Sequence, residues 1–409
     1  MNISVFNLTN KIKVIFDKTN GAEILNIKVF VGVGSACENE KNSGLSSLTL
    51  SSMMRSTLLK NSESLDGAID DLGASLSGVT SHDYSFISMA LLSKHCKNAC
   101  EILAEIITKP AFDNAEIDWQ KKMAVNAENL RKDDIDDTAC DAFCAKIYKD
   151  TPYAYQSWGK IETLKKLTRE QIVERHKKVF CAKNLLIAVC GNISQKILFE
   201  NLQKSFGQIE VGEKICIPNF KFKGYENFAN KTVKIKTKFN QGYILKGFDA
   251  PSCLDRDFVT INIINAMLGM RMTSKFFVRL REQLGLAYSV NTMYPISKNK
   301  SFFAVHIGLD KKNIKFTLSE IDKIFNDFLS KKVSQKELDE TKTFLKGRRL
   351  LARQEIGAKC LALGRAEILG LGFKWDLNFD REIKKVTNAD ILRVAKDIFS
   401  KRSLTIVLN

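Results

Sequence analysis

The chain has 409 residues, enough for two or three domains with large cores. Its hydrophobic content of 44% and charged content of 27% are ordinary for a globular protein, and no stretch approaches the roughly 18 uninterrupted apolar residues of a membrane helix. The formal net charge of +17 would suit a nucleic-acid-binding protein, but the lysines are spread along amphipathic helices and no zinc-finger, RRM-like or helix-turn-helix signature is present. We therefore expect neither nucleic acid nor membrane as a partner.

The first half of the chain begins with segments rich in β-branched and aromatic residues, which predict strands, and continues mainly with helices. The predicted strands are 11–16, 23–33, 75–80, 84–92 and 185–189. The predicted helices are 44–59, 62–72, 97–109, 115–132, 137–148 and 169–179. Thr168 and Gln171 form a capping-box pattern at the start of the last of these helices.

The second half repeats this order of strands and helices. The predicted strands are 231–236, 243–248, 287–293 and 301–308, and the predicted helices are 257–268, 274–284, 314–329, 335–350 and 358–370. The repeat is clearest where a capped helix is followed by a strand: Thr168 matches Thr387 and Leu185 matches Leu404, both at an offset of 219 residues. Equal offsets across two elements indicate an internal duplication.

The duplication predicts an α+β protein with two domains, each a mostly antiparallel β-sheet packed against helices. We predict a first domain at 1–206 and a second at 232–409. The segment 207–231 between them is rich in lysine and is interrupted by glycine and proline, including Gly224, so it is predicted to be the linker.

One segment of the second domain, 276–290, places an arginine and a tyrosine around a helix end. Phe277, Leu280 and Leu284 are spaced to form one apolar helix face, and Gly285 ends the helix. Arg281 therefore lies near the helix end and Tyr288 near the start of the next strand. The two side chains could hold the carbonyls of an extended peptide, or they could be a surface arginine and a half-buried tyrosine at an ordinary helix–strand junction.

Cysteine usage favours a reducing compartment. The N-terminus lacks the pattern of a signal peptide, and most of the ten cysteines lie among apolar neighbours, as buried free thiols do. We therefore expect a cytoplasmic protein. The pairs Cys96/Cys100 and Cys140/Cys144 are four residues apart on predicted helices, whereas zinc sites usually use a tighter C-x2-C spacing on turns, so no metal is expected there.

Three motifs together carry a resemblance to a known family. They are Val31-Gly32-Val33-Gly34-Ser35 with Glu38 and Gly44, the segment Leu72-Gly73-Ala74 to Thr80-Ser81-His82-Asp83-Tyr84-Ser85, and the segment 276–290. In this order, and over nearly the whole chain, they resemble the M16 family of zinc metallopeptidases, in particular its small bacterial M16B and mitochondrial-processing-peptidase-like branch. The resemblance implies that Arg281 and Tyr288 are substrate-binding residues.

The resemblance also implies a zinc motif, H-x-x-E-H, that this sequence has lost. In the family two histidines on one helix face bind Zn²⁺, the glutamate between them is the general base, and a distal glutamate completes the site. Here Ser47 and Ser51 hold the two histidine positions, Leu50 holds the base position, and the distal position falls on Glu128. The chain is therefore expected to hold no zinc and to be inactive by itself.

Two functions remain open for such a chain. In the first, it is the non-catalytic, substrate-binding subunit of a heterodimeric M16B-type endopeptidase that acts on peptides or unfolded segments, and a partner subunit with an intact H-x-x-E-H motif supplies zinc, base and water. In the second, it is a peptide-binding or scaffold pseudopeptidase with no role in proteolysis. The four histidines show no pair at metal-ligand spacing, and no nucleophile elbow or phosphate-binding glycine loop suggests other chemistry.

Overall fold

The computed structural model describes residues 2–220, 222 and 230–409. The strands are β1 Asn2–Asn7, β2 Lys13–Lys18, β3 Ile24–Val31, β4 Ser75–Thr80, β5 Ser85–Leu92, β6 Leu185–Gly191, β7 Lys231–Ile235, β8 Gly242–Ala250, β9 Ala287–Met293, β10 Ser301–Leu309 and β11 Ser403–Leu408.

The α-helices lie between these strands along the chain, in two places as runs of five. They are α1 Leu45–Met53, α2 Ser62–Asp70, α3 Cys96–Thr108, α4 Asn114–Arg131, α5 Ile135–Ile147, α6 Ile161–Leu164, α7 Arg169–Val179, α8 Gln195–Phe206, α9 Phe258–Asn265, α10 Ile314–Ser330, α11 Gln335–Ala352, α12 Ile356–Leu369, α13 Phe373–Lys385 and α14 Asn388–Phe399. Two further segments, Ala266–Met270 and Phe277–Gln283, have the wider turns of a π-helix.

The two sheets share one topology. Their strand orders are β1-β2-β6-β3-β5-β4 and β7-β11-β8-β10-β9. The pairs β2 with β6 and β7 with β11 are parallel, and the other pairs are antiparallel. Apart from β1, which no sequence pattern predicted, each strand of the first sheet has a counterpart in the second. The α+β fold with two mostly antiparallel sheets is confirmed.

The helices that precede β6 and β11 have matching caps. Thr168 accepts a hydrogen bond from the Gln171 backbone N–H, and Thr387 accepts one from the Asp390 backbone N–H. In both boxes the side chain at the third helical position returns a bond to the cap residue, so two otherwise unpaired N–H groups are satisfied at each helix start. The capping box predicted at Thr168 is confirmed.

The chain forms two compact units that are not contiguous in sequence. One comprises Met1–Glu128, Tyr155–Pro218 and Leu351–Asp376, and the other comprises Asn129–Ala154, Asn219–Leu350 and Leu377–Asn409. The contiguous division predicted from the sequence differs because α5 belongs to the second unit and α12 to the first.

Close packing against a glycine fixes the position of α5 and of α12. In the first unit α12 crosses β3 at Gly364, where a Cβ would lie 2.0 Å from the Phe30 ring. In the second unit the Phe143 ring of α5 occupies the space over Gly247 of β8 and stacks edge-on against Phe302 at 5.0 Å. Because helices cover both of its faces, β3 is buried at every position from residue 25 to residue 31.

Two predicted helices differ from those in the structure, one in its end and one in its apolar face. The helix predicted over 44–59 stops at Met53, because Ser56 binds the Asp113 carboxylate and Thr57 binds Glu105 and pairs with Pro110. In the segment 277–283 the π-helical turn brings Phe276 and Leu280 into the core and leaves Phe277 half-buried, so the apolar face differs from the predicted one.

The predicted linker, 207–231, is packed where it is described. Gly212 touches the Cys181 side chain in the first unit. In the second unit Phe220 and Phe222 stack edge-on against Tyr153 at 5.8 Å each, and Phe222 also contacts Tyr148. The remainder, including Gly224, lies outside the described residues.

Across the described residues, no helix combines the length and the apolar character that crossing a membrane requires.

Candidate functional site

A buried carboxylate fixes the N-terminus of the helix that carries the degenerate motif. The Glu38 carboxylate accepts hydrogen bonds from the backbone N–H groups of Gly44, at 2.7 Å, and Ser46, at 2.6 Å. These N–H groups lack partners within the helix, and a negative charge here is favourable toward the helix dipole. Burial raises the pKa of Glu38, whereas the bonds from Ser46 and Gly44 oppose that rise. Arg175 completes the arrangement by donating to the Ser46 hydroxyl at 2.7 Å.

The three replaced positions on α1 have no zinc-binding character. Ser47 and Ser51 are half-buried, and the Ser51 hydroxyl donates to the Leu48 carbonyl at 3.2 Å. Leu50 is only 3% exposed and packs against Gly78 of β4, so a core side chain stands where the family has its general base. Two hydroxyls and a leucine do not fit a zinc ion, which takes thiolate, imidazole or carboxylate ligands.

The distal carboxylate is held by a tryptophan. Glu128 on α4 accepts a hydrogen bond from the Trp158 indole N–H at 2.8 Å. The Trp158 carbonyl in turn packs against Gly44, the residue that caps α1. Trp158 therefore ties Glu128 to the start of the motif helix. The ranges that the structure describes hold no group of three histidine, cysteine or acidic side chains suited to a metal ion.

Three half-buried histidines make hydrogen bonds within the fold. His82 contacts the Tyr155 carbonyl at 3.0 Å, His176 contacts the Ile107 carbonyl at 2.8 Å, and His306 contacts the Tyr243 hydroxyl at 2.7 Å. Burial lowers the pKa of all three imidazoles, which favours their neutral forms.

Arg281 projects from the end of the π-helical segment in the second unit. Its guanidinium carbon lies 5.3 Å from the centre of the Phe277 ring, and the side chain is exposed. Gly285 then turns the chain with a φ of +60°, and the Leu286 N–H closes the helix end by donating to the Leu280 carbonyl at 2.8 Å. The predicted glycine stop is confirmed.

Tyr288 stands at a β-bulge on an edge strand. Ser289 of β9 pairs with Gly308 of β10, but Leu309 pairs with Ala287, so Tyr288 is an extra residue on the outermost strand of the second sheet. A bulge turns its side chain out of the regular alternation. Tyr288 is accordingly 63% exposed, where an ordinary junction would leave it half-buried.

The predicted site residues thus form two groups. Ser47, Leu50, Ser51 and Glu128 lie in the first unit, and Arg281 and Tyr288 lie in the second, one on each side of the Gly285 turn. Sequence reasoning missed the cap made by Glu38 and Arg175 and the tie made by Trp158. The only sequence signal for them was an acidic residue six positions before Gly44.

Two family models match the chain. Residues 13–159 match the model described as insulinase (peptidase family M16), and residues 166–345 match the one described as the peptidase M16 inactive domain. The two matches follow one another along the chain, and the segment described as inactive begins after the motif helix α1.

Relatives align with the chain over most of their length. An uncharacterized zinc protease of Rickettsia felis is 23% identical, with the alignment covering 100% of this chain and 97% of the relative. One of Bacillus subtilis is 22% identical over 90% of this chain and 88% of the relative.

Solved structures share the fold. A protease from Helicobacter pylori superposes with a TM-score of 0.92 at 18% identity, covering 100% of this chain and 99% of its own. A peptidase M16 inactive domain from Pseudomonas fluorescens gives 0.91 at 18% identity, covering 100% and 98%. With both halves matched by models of one family and relatives aligned from end to end, the chain belongs to the M16 peptidase family, as a member whose zinc motif is degenerate.

Proposed function

We propose that the chain is the non-catalytic, substrate-binding subunit of a two-chain M16 zinc endopeptidase that acts on peptides or unfolded protein segments. The observation that carries the proposal is the contrast between the two groups of site residues. Leu50 has become part of the core at the base position, whereas Arg281 and Tyr288 remain exposed at the positions that bind substrate in the family. The chain has lost the chemistry and kept the residues that handle a peptide.

The exposed side chains suit a peptide backbone. Among the described residues no carboxylate pairs with Arg281, so its N–H donors are free for carbonyl oxygens while the Phe277 ring supports the guanidinium. Tyr288 adds a hydroxyl. Each sheet also ends in an edge strand, β4 in the first unit and β9 in the second, to which an extended peptide can add through main-chain hydrogen bonds.

The missing chemistry comes from a partner. A second M16 subunit with an intact H-x-x-E-H motif would supply zinc, general base and water, since one carboxylate and two hydroxyls cannot. The ten cysteines, none of them in a disulfide, support a reducing compartment, and we place the pair in the cytoplasm.

The test isolates the chain from its native cells and asks what accompanies it. We expect an M16 subunit with an intact motif, cleavage of unfolded protein by the pair, and no stoichiometric zinc in this chain alone. If each removes a hydrogen bond to substrate, Arg281→Ala should lower cleavage by the pair at least about tenfold, and Tyr288→Phe about two- to tenfold. Arg256→Ala, which removes an exposed arginine of the same unit, is the matched control.

The alternative, a scaffold or peptide-binding protein without a proteolytic role, predicts a different result. In that case the partner has no intact zinc motif, or cleavage by the pair is unchanged in both variants. One tightly bound zinc per chain in the purified protein would overturn the proposed function.

A further inference from the structure

A cavity of about 370 Å³ in the second unit lies beside the segment that carries Arg281. Its walls are the π-helical segment Phe277–Gln283, α10, the loop after α10 and the first turn of α11. Cavities of this size commonly bind small molecules, and π-helical turns are rare and frequently occur at functional sites. The proposed function uses Arg281 and Tyr288 but gives this cavity no role.

The floor of the cavity is apolar. Phe328 is 3% exposed, Ile324 is 7% exposed and Val333 is 9% exposed, so all three are buried side chains. Val278 adds a half-buried apolar side chain from the π-helical segment. A ligand with an apolar chain would remove the remaining exposed surface of these side chains from water, which is favourable.

The charged groups of the lining leave two ammonium groups unmatched. Each of the three carboxylates already forms an ion pair, and the pairs are Arg279–Glu320 at 2.6 Å, Lys275–Glu337 at 2.9 Å and Lys331–Asp327 at 3.4 Å. Lys323 and Lys332 line the cavity without an ion pair to any described residue, and both are exposed. The lining therefore carries an excess of positive charge and favours an anion.

The two arginines of the π-helical segment have different surroundings. Arg279 belongs to the cavity lining, where it binds Glu320 and donates to the Gln283 side chain at 3.3 Å. Arg281 stacks on the Phe277 ring, and neither of these two residues lines the cavity. A ligand in the cavity would therefore contact the segment that carries Arg281 without occupying the positions assigned to substrate.

We propose that this cavity binds a small amphipathic anion. Its apolar chain lies on the floor formed by Phe328, Ile324 and Val333, and its anionic head group lies beside Lys323 and Lys332. Burial of the chain supplies most of the affinity, because ion pairs with exposed lysines contribute little individually. The head group supplies the selectivity, since a cation would meet two unpaired ammonium groups. The assignment does not depend on a role of the chain in proteolysis.

The test titrates the full chain with octanoate, octanol and octylammonium, which share one apolar chain and differ in the head group. Isothermal titration calorimetry at about 0.15 M salt measures the three affinities. Octanoate should occupy one site per chain and bind at least about fivefold more tightly than octanol, because two ion pairs are added to the same apolar contact. Octylammonium should bind more weakly than octanol.

Two variants locate the binding. Lys323→Gln combined with Lys332→Gln removes both unmatched charges and should reduce octanoate to the affinity of octanol. The matched control is Lys315→Gln combined with Lys336→Gln, which makes the same change of charge at exposed lysines outside the cavity lining and should leave octanoate binding unchanged. Val278→Trp fills the cavity from its π-helical wall and should abolish saturable binding of both octanoate and octanol.

Several results would overturn the assignment. They are absence of saturable octanoate binding, equal affinity for octanoate and octanol, a preference for octanoate that survives the loss of Lys323 and Lys332 or is lost equally in the control, and binding that Val278→Trp leaves unchanged. If Val278→Trp does not fold, the lysine variants decide, because they change only exposed side chains. Since none of these measurements involves cleavage, failure of this assignment and failure of the proposed function are distinguishable.

Discussion

Gly44 and Gly159 lie backbone against backbone, both with left-handed dihedral angles, at the start of the motif helix. A Cβ on Gly159 would lie 2.4 Å from the Ser43 carbonyl oxygen and 2.5 Å from the Gly44 Cα. A Cβ on Gly44 would lie 2.4 Å from the Trp158 carbonyl oxygen. The φ angles are +92° at Gly44 and +89° at Gly159. This contact seats the loop that carries Trp158 on the helix that carries Ser47 and Ser51.

Gly159→Ala should destabilise the protein more than an ordinary left-handed glycine does. The variant combines backbone strain with a clash against Ser43, and we expect a loss of at least about 2 kcal/mol in the free energy of unfolding. Gly73→Ala is the matched control, because Gly73 has a φ of +55° but nothing within 4 Å of its Cβ position, so only about 1 kcal/mol should be lost. Urea denaturation measures both, and equal losses would contradict the contact.

Trp158 and Glu128 should be energetically coupled. Trp158→Phe keeps an aromatic ring but removes the indole N–H, from which the Glu128 carboxylate accepts a hydrogen bond. A hydrogen bond to a charged group contributes about 1.5–3 kcal/mol, so a double-mutant cycle with Glu128→Ala should give a coupling energy of about 1 kcal/mol or more at this half-buried position. Strictly additive losses would mean that Glu128 is held by other groups.

Two substitutions should restore metal binding without restoring catalysis. In the variant with Ser47→His and Ser51→His, two imidazoles four residues apart share one face of α1, and Glu128 is the third ligand expected from the family. We expect about one zinc per chain by elemental analysis, and at least about tenfold weaker binding when Glu128→Gln is added. Peptide cleavage should stay absent because Leu50 cannot move a proton. A double variant that takes up no zinc would show that Glu128 is out of reach.

Stability should fall as the medium is acidified through the histidine range. The folded-state pKa of His176 is lowered by burial, so the unfolded chain binds a proton near its ordinary value of 6.5 while the folded chain does not. The stabilisation is present above that value and is lost as pH falls toward the folded pKa. His82 and His306 shift in the same direction. The free energy of unfolding should decline between about pH 7 and about pH 5.

A His176→Gln variant isolates this contribution. Its unfolding free energy should depend less steeply on pH than that of the native chain over the same range. Glu38 acts in the opposite sense, because an acid with a raised folded-state pKa contributes stability that is lost as pH rises. The contribution of His176 is therefore obtained from the difference between the native chain and the variant. An unchanged slope would contradict a neutral His176 in the folded chain.

Much of the architecture could be predicted because its signals are local. Residues close together in sequence determine the capping boxes at Thr168 and Thr387 and the strands that follow them. These elements indicated the internal duplication, which the matching strand orders of the two sheets confirm. The early end of α1 was not predictable, since it depends on Thr57 meeting Glu105 and Pro110, residues about fifty positions away.

No local sequence pattern predicts that α5 belongs to the second unit and α12 to the first. Both have the pattern of any helix of the chain, and their places are set by distant glycines and rings, Phe143 over Gly247 and Gly364 over Phe30. The candidate site shows the same limit. The degenerate residues were found from the motif, whereas the bulge that exposes Tyr288 depends on the pairing between β9 and β10.

The place of α12 has a consequence for how the protein is made. The face of the first sheet formed by Ile15, Phe30 and Leu186 is covered by α12, which is synthesised about 180 residues after β6. At roughly 5–20 residues per second, a ribosome needs on the order of ten to forty seconds to deliver that helix. During this interval the nascent first sheet exposes an apolar face with no cover from its own chain. A stop codon anywhere between β6 and α12 should therefore yield an aggregating fragment rather than a folded first unit.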